Sequence, residues 1–117
     1  TVNGHFHLGV ALLCQERYAE AADSFERAVQ LKPDFGEAHY NLGFALARTG
    51  RGRDALQPFR DAIRFSPEFI DAYILLADLL HQTGGRDEAG RVIQRALELD
   101  PGDERAKILR ERIQGGR

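Results

Sequence analysis

Residues 36–67, GEAHYNLGFALARTGRGRDALQPFRDAIRFSP, decide the fold, because the segments before and after them are imperfect copies at a fixed offset. Pro33, Pro67 and Pro101 lie 34 residues apart. The same offset links Leu8, Leu42 and Leu76, then Ala21, Ala55 and Ala89, then Ala28, Ala62 and Ala96. Phe25 and Phe59 recur as well, with Ile93 in the third copy. A period shared by small, large and helix-breaking residues marks an array of one supersecondary unit.

The run Leu42-Gly43, Leu46, Gly50, Ala55, Phe59, Ala62 and Pro67 resembles the tetratricopeptide repeat, whose 34-residue unit is a pair of antiparallel helices. The resemblance covers three repeats, 2–35, 36–69 and 70–103, followed by a further amphipathic segment at about 103–114. It implies an all-α fold, a right-handed superhelical solenoid of helix pairs forming one domain. It also implies a concave groove that binds a peptide or another protein, with no chemistry attached.

Composition is compatible with this reading. The 117 residues suit a single domain, long enough to bury roughly two-thirds of the unfolded surface. Sixteen basic and 18 acidic residues give a formal net charge of −2, which creates no field for nucleic acid or an anionic membrane. The single cysteine, Cys14, allows no internal disulfide and fits a reducing compartment, so a cytoplasmic location is expected. There is no apolar run of about 20 residues and no signal-peptide core, so no membrane partner is expected. With no methionine and a start at Thr-Val-Asn-Gly, the chain reads as a piece of a longer protein.

Helical periodicity places helices at about 3–14, 18–31, 36–48, 53–65, 70–82, 86–99 and 103–114. Gly50 and Gly84 fall in the turns within the second and third repeats, but the first has Gln15-Glu16-Arg17. Without the residue that most easily takes the left-handed conformation, that turn is expected to be looser or differently closed. Asp34 with Glu37 reads as a capping box for the third helix. Pro58 is expected to bend the fourth helix without breaking it, at about 3 kcal/mol. Asp103 reads as the cap of the last helix, with Ala106, Leu109 and Ile113 inward to close the array.

The recurring residues have packing roles. Gly9, Gly43 and Ala77 are small where the first helix of each pair approaches its partner. Phe25, Phe59 and Ile93 fill the space between repeats, each contributing about 2–3 kcal/mol of transfer free energy. Cys14 reads as a small filler, buried or half-buried.

Function is expected on what the packing leaves over. Along 36–48, His39, Leu42, Gly43 and Leu46 form the packing stripe, and Glu37, Tyr40, Asn41, Phe44 and Arg48 form a second one. The resemblance puts the second stripe in the groove. Its equivalents are Asn3, Phe6, His7, Val10, Leu13 and Cys14 in the first repeat, and Asp71, Ile74, Leu75, Asp78, His81 and Gln82 in the third. The surface so described is apolar through Phe6, Val10, Tyr40, Phe44, Ile74 and Leu75, and acidic through Glu37, Asp71 and Asp78. Two readings stay open for the aromatic and aliphatic members, packing against neighbouring helices and ligand contact. Asn41 either holds a ligand backbone amide or is simply solvated.

Chaperone-binding relatives of the family resemble a clamp of basic residues and asparagines for a terminal carboxylate. Asn41 matches one asparagine, but Phe6, Val10, Asp71 and Leu75 stand where the others are expected. The expected ligand is therefore an amphipathic helix or extended segment with apolar side chains and a Lys or Arg, at an affinity around micromolar, about −8 kcal/mol.

No enzyme, cofactor or metal is expected. His5 and His7 point to different faces of a helix, His39 and His81 lie on other helices, and Cys14 is two turns from His7. Asp71, Asp78 and His81 make a poor metal or acid–base set. The GRGR and TGGRDE runs are turns that follow no strand. The alternative to peptide binding is self-association as a homo-oligomer: if the chain is excised from a longer array, its first helix exposes the face that an upstream repeat would cover, and Phe6, Val10 or Leu8 pairs across a two-fold axis.

Overall fold

The computed structural model describes residues 1–115. Among them it contains seven helices and no strand: α1 (Val2–Cys14), α2 (Tyr18–Leu31), α3 (Gly36–Arg48), α4 (Gly52–Phe65), α5 (Ile70–Gln82), α6 (Arg86–Leu99) and α7 (Glu104–Gln114). Three helix pairs and a closing helix are what the 34-residue offset requires. The helices form two compact units, Thr1–Ser66 with α1 to α4, and a second from Pro67 onward with α5 to α7.

In the first unit α1 packs on α2, α2 on α3 and α3 on α4. Ala21, Ala28, Ala38, Ala45, Ala55 and Ala62 have no exposed surface, which is how helix axes come close enough for the aromatic residues between them to be enclosed. The ring of Phe25 lies against Gly9, where a Cβ would sit 2.7 Å from two of its carbons. Phe59 lies against Gly43 in the same way, at 2.9 Å. The glycines recur because a phenyl ring occupies the volume a side chain would need. In the second unit the same two positions hold Ala77 and Ile93, so a residue with a Cβ is paired with one that has no ring.

Leu8 departs from its equivalents: it is 52% exposed, against 4% for Leu42 and 2% for Leu76. α3 packs on both α2 and α4, whereas Leu8 of α1 lines an open pocket with Glu20, Asp23, Ser24 and Arg27 of α2. Cys14 is also exposed, contrary to the filler role expected for it. Its equivalents Arg48 and Gln82 are exposed too, so the position belongs to the solvent face at the end of each first helix.

The turn after α1 corrects a second expectation. Glu16 takes φ 59°, the left-handed conformation that Gly50 (80°) and Gly84 (92°) take at the equivalent positions. The closing hydrogen bonds match as well: the amides of Arg17, Arg51 and Gly85 donate to the carbonyls of Leu12, Leu46 and Leu80 at 2.9, 3.0 and 2.7 Å. The first turn is therefore closed like the others, with a non-glycine residue bearing a steric cost of about 1–2 kcal/mol.

Asp34 does not cap α3. The N-cap is Phe35, with no side-chain cap bond, and its ring packs 4.8 Å from that of Phe6. Burying an aromatic ring at this junction outweighs the roughly 1 kcal/mol of a polar cap. Phe69 is the N-cap of α5, and Asp103 occupies the equivalent place before α7. There the aspartate does cap, accepting from the amide of Ala106 at 3.1 Å. Helix α4 runs unbroken through Pro58, which is itself buried.

In the second unit α5 packs on α6, and α7 on both. Ala106, Leu109 and Ile113 are buried as expected. Arg86, at the start of α6, donates to the carbonyls of Ile113 and Gln114 at 2.9 and 3.0 Å, which satisfies acceptors that the end of α7 leaves open. The position of Tyr73, whose hydroxyl donates to the Pro67 carbonyl, is the position of His39 in the first unit, where Nε2 donates to the Pro33 carbonyl at 2.8 Å. Two different side chains thus fasten the inter-repeat proline carbonyl in the same way.

Candidate binding surface

The residues expected to form a surface fall on the first-of-pair helices. In the first unit these are α1 and α3. Phe6, Val10, Tyr40, Asn41 and Phe44 are half-buried, and Glu37 and Arg48 are exposed. Three of them also pack: Phe6 meets Phe25 at 5.8 Å, Tyr40 meets Phe59 at 5.8 Å and Phe44 meets Tyr18 at 6.3 Å, each edge-on. The packing reading therefore holds for these rings, which wedge onto the core and also keep part of their surface in solvent. Arg48 is spread over the ring of Tyr18, its guanidinium carbon 5.1 Å from the centroid. Tyr18 thus joins this surface from the start of α2. Glu37 has no hydrogen-bond or ion-pair partner among the described residues, so its charge is uncommitted.

The second unit changes the expected charge pattern. Asp71 is ion-paired with Arg105 of α7 at 2.8 Å, and Arg105 also reaches Asp103 at 3.0 Å. The hydrogen bond from Arg105 holds the Asp103 carboxyl below its ordinary range. The Asp103 and Asp71 hydrogen bonds hold the guanidinium the more firmly protonated. Asp78 accepts a hydrogen bond from Gln82 at 3.1 Å. The acidic flank expected from Asp71, Asp78 and Glu37 is thus partly cancelled, because a helix that follows the three repeats brings a cation onto it. Ile74 is only 8% exposed, and Leu75 is half-buried.

Ile74 and Asp78 open instead into a cleft of about 200 Å³ between α5 and α7, completed by Arg105, Ile108, Leu109 and Arg112. Those four α7 residues were not among the expected surface residues, although the signal for them was present. One more step of the repeat offset carries Glu37 and Asp71 to Arg105, Tyr40 and Ile74 to Ile108, Asn41 and Leu75 to Leu109, and Phe44 and Asp78 to Arg112. α7 is a fourth first-of-pair helix in register. Glu111 stands where Gly43 lies under Phe59, and a side chain there leaves no room for an equivalent ring. Among the described residues no group of His, Cys, Asp and Glu is arranged to hold a metal ion, and no helix is long and apolar enough to cross a membrane.

Two family models, both described as tetratricopeptide repeat, match residues 6–69 and 50–113. No curated protein matches the chain in sequence. Among solved structures, the first such domain of Spaghetti (RPAP3), bound to the HSP90 peptide SRMEEVD, superposes with a TM-score of 0.91 at 20% identity, over 97% of this chain and 90% of that one. The second such domain of human RPAP3, in complex with the HSP70 peptide SGPTIEEVD, gives 0.89 at 16%, over 97% and 98%. MamA gives 0.82 at 28%, over 86% of this chain and 59% of its own. The first two likenesses concern the fold alone. With repeat models spanning more than half of its length and three helix pairs plus a closing helix in the matching order, the chain belongs to the tetratricopeptide repeat family, an all-α solenoid of helix pairs.

Proposed function

We propose that the chain is a protein-interaction module that binds a peptide or a segment of another protein on the faces of its first-of-pair helices. The observation that carries this is the α1/α3 face, where Phe6, Val10, Tyr40 and Phe44 keep apolar surface in solvent beside the uncommitted Glu37. A contiguous exposed apolar patch with a polar edge is a common mark of an interaction site. Two solved relatives in fold hold short peptides, which supports a peptide as the kind of ligand. Their peptides are acidic, whereas Phe6 and Val10 offer no cation here. On this face the ligand contributes apolar side chains and a Lys or Arg opposite Glu37. Asn41, half-buried on α3, supplies a donor and an acceptor for the ligand backbone.

The test is a selection from a displayed random-peptide library. Wild type is compared with a Tyr40→Ala/Phe44→Ala double variant shown by circular dichroism to be folded, and with Glu37→Lys, which leaves the rings untouched. Peptides held by wild type and lost by the double variant support the reading, and basic residues should vanish from the Glu37→Lys pool. An unchanged pool on the double variant refutes it. The second reading, self-association, is favoured by Leu8, half in solvent where its equivalents are buried. A mass that rises with concentration, and falls back in Leu8→Glu, would support it.

A further inference from the structure

Resting on the peptide binding proposed above, we infer that Arg48 is a second charge-reading position on the α3 face. The bound segment is then extended and carries an Asp or Glu about five residues from the Lys or Arg that meets Glu37. Glu37, Asn41, Phe44 and Arg48 follow one another at i, i+4, i+7 and i+11, a single line along α3. A rise of about 1.5 Å per residue puts about 16 Å between the two charged positions along the helix axis. Glu37 and Arg48 are both exposed, and neither makes a hydrogen bond or ion pair among the described residues. Three other cations of this unit are engaged elsewhere: Arg17 pairs with Glu20, Arg51 pairs with Asp54, and Lys32 lies over the ring of Phe35.

Neither the repeat nor its own helix accounts for Arg48. Its equivalents Cys14 and Gln82 carry no charge, and Tyr18, whose ring lies beneath its guanidinium at 5.1 Å, has Gly52 and Arg86 as equivalents. Cation and aromatic platform are thus coupled where the repeat requires neither. Nor does Arg48 close α3: the Leu46 carbonyl accepts from the Thr49 hydroxyl at 2.8 Å and from the Arg51 amide at 3.0 Å. A guanidinium placed over a ring is held in position while its N–H groups stay open to a planar anion, which a carboxylate meets with two parallel hydrogen bonds. Phe44 meets the same ring at 6.3 Å, so an apolar contact adjoins the cation. Asn41 stands between the two charges with donor and acceptor for a backbone. An extended segment leaves backbone groups free for it, whereas a helix uses its own internally. At about 3.3 Å per extended residue, about 16 Å corresponds to about five residues.

The probe is the displayed random-peptide library, selected on wild type, Arg48→Gln, Arg48→Glu, Glu37→Lys and the Tyr40→Ala/Phe44→Ala variant, with folding checked by circular dichroism. Wild-type peptides should carry a basic and an acidic residue about five positions apart, with apolar residues between them. On Arg48→Glu both positions should be basic, and on Glu37→Lys both acidic. Arg48→Gln should keep the basic residue and lose the preference for the acidic one. For one wild-type peptide, Arg48→Gln and the peptide's own acid-to-amide change should each weaken binding about two- to fivefold, the scale of an exposed ion pair. The two changes together should weaken it no more than either alone, and the difference should disappear at about 1 M salt. Should Arg48→Glu not fold, Arg48→Gln carries the test. A wild-type pool that is lost with Tyr40 and Phe44 but has no acidic residue at that spacing overturns the role of Arg48 and leaves the proposed function standing. Charges about eleven residues apart, the spacing of a bound helix, overturn the extended segment. A pool indifferent to Tyr40 and Phe44 overturns both readings.

Discussion

Replacing Gly43 by alanine tests why glycine and phenylalanine recur together. The added Cβ would lie 2.9 Å from Phe59 Cε1 and 3.0 Å from Cδ1 and Cζ, closer than carbon atoms approach without displacement. Forcing a ring aside in a packed interior costs about 1–3 kcal/mol, while alanine gains about 1 kcal/mol over glycine as a helix former. Gly43→Ala alone should therefore destabilise by about 0–2 kcal/mol. Phe59→Ile alone loses ring contacts and should cost about 1–3 kcal/mol, less than the Phe→Ala range. The double variant recreates the Ala77 and Ile93 combination that the chain already uses at the equivalent positions. The clash is gone while the helix gain remains, so the double variant should be more stable than the sum of the singles by at least about 1 kcal/mol. Because the propensity gain is present in both backgrounds, it cancels from the cycle. Urea denaturation followed by circular dichroism, with all four proteins compared, gives the coupling. Additivity to within about 0.5 kcal/mol would refute the argument.

Glu16→Gly should leave the structure unchanged and raise stability by up to about 1 kcal/mol, because relief of the left-handed strain exceeds the extra entropy of an unfolded glycine; a lower thermal midpoint would contradict the equivalence of the three turns. Leu42→Ala should cost about 2–5 kcal/mol, whereas Leu8→Ala should cost well under 1 kcal/mol, and equal losses in chemical denaturation would mean that the exposed flank of α1 is covered in solution. Asp103→Asn keeps the helix cap and removes the charge. The lowered carboxyl of Asp103 gives stability that is complete above its ordinary value of 3.8 and is lost as pH falls through the lower folded value. The variant should therefore be less stable than wild type at pH 7, with the gap closing below pH 3.8 in thermal scans; a gap independent of pH would remove the charge from the account.

The helices and their pairing were readable because the repeat is enforced by packing that only certain residue sizes satisfy. Alanines such as Ala21, Ala55 and Ala89 have no exposed surface, and a larger side chain at any of them would separate the helices. What could not be read came from contacts between residues far apart in sequence or from competition at a junction. Phe35 displaces Asp34 as a cap because of a ring on α1, and nothing near residue 34 encodes that ring's position. Asp71 looks acidic in its own repeat and is compensated by Arg105, 34 residues later. Glu16 adopts a glycine's conformation because the bond from Arg17 to Leu12 and the packing on either side demand the turn. The α7 half of the cleft is a different case. The same offset that defined the repeats points to Arg105, Ile108 and Arg112, but a closing helix is naturally read for its buried side and not for its outer one.

The most direct test of the account is to map a selected peptide on the protein by amide chemical-shift perturbation. The account predicts shifts concentrated on α1 and α3 around Phe6, Val10, Tyr40, Asn41 and Phe44. Shifts confined to the outward surfaces of α2, α4 and α6, with the first-of-pair helices silent, would contradict it.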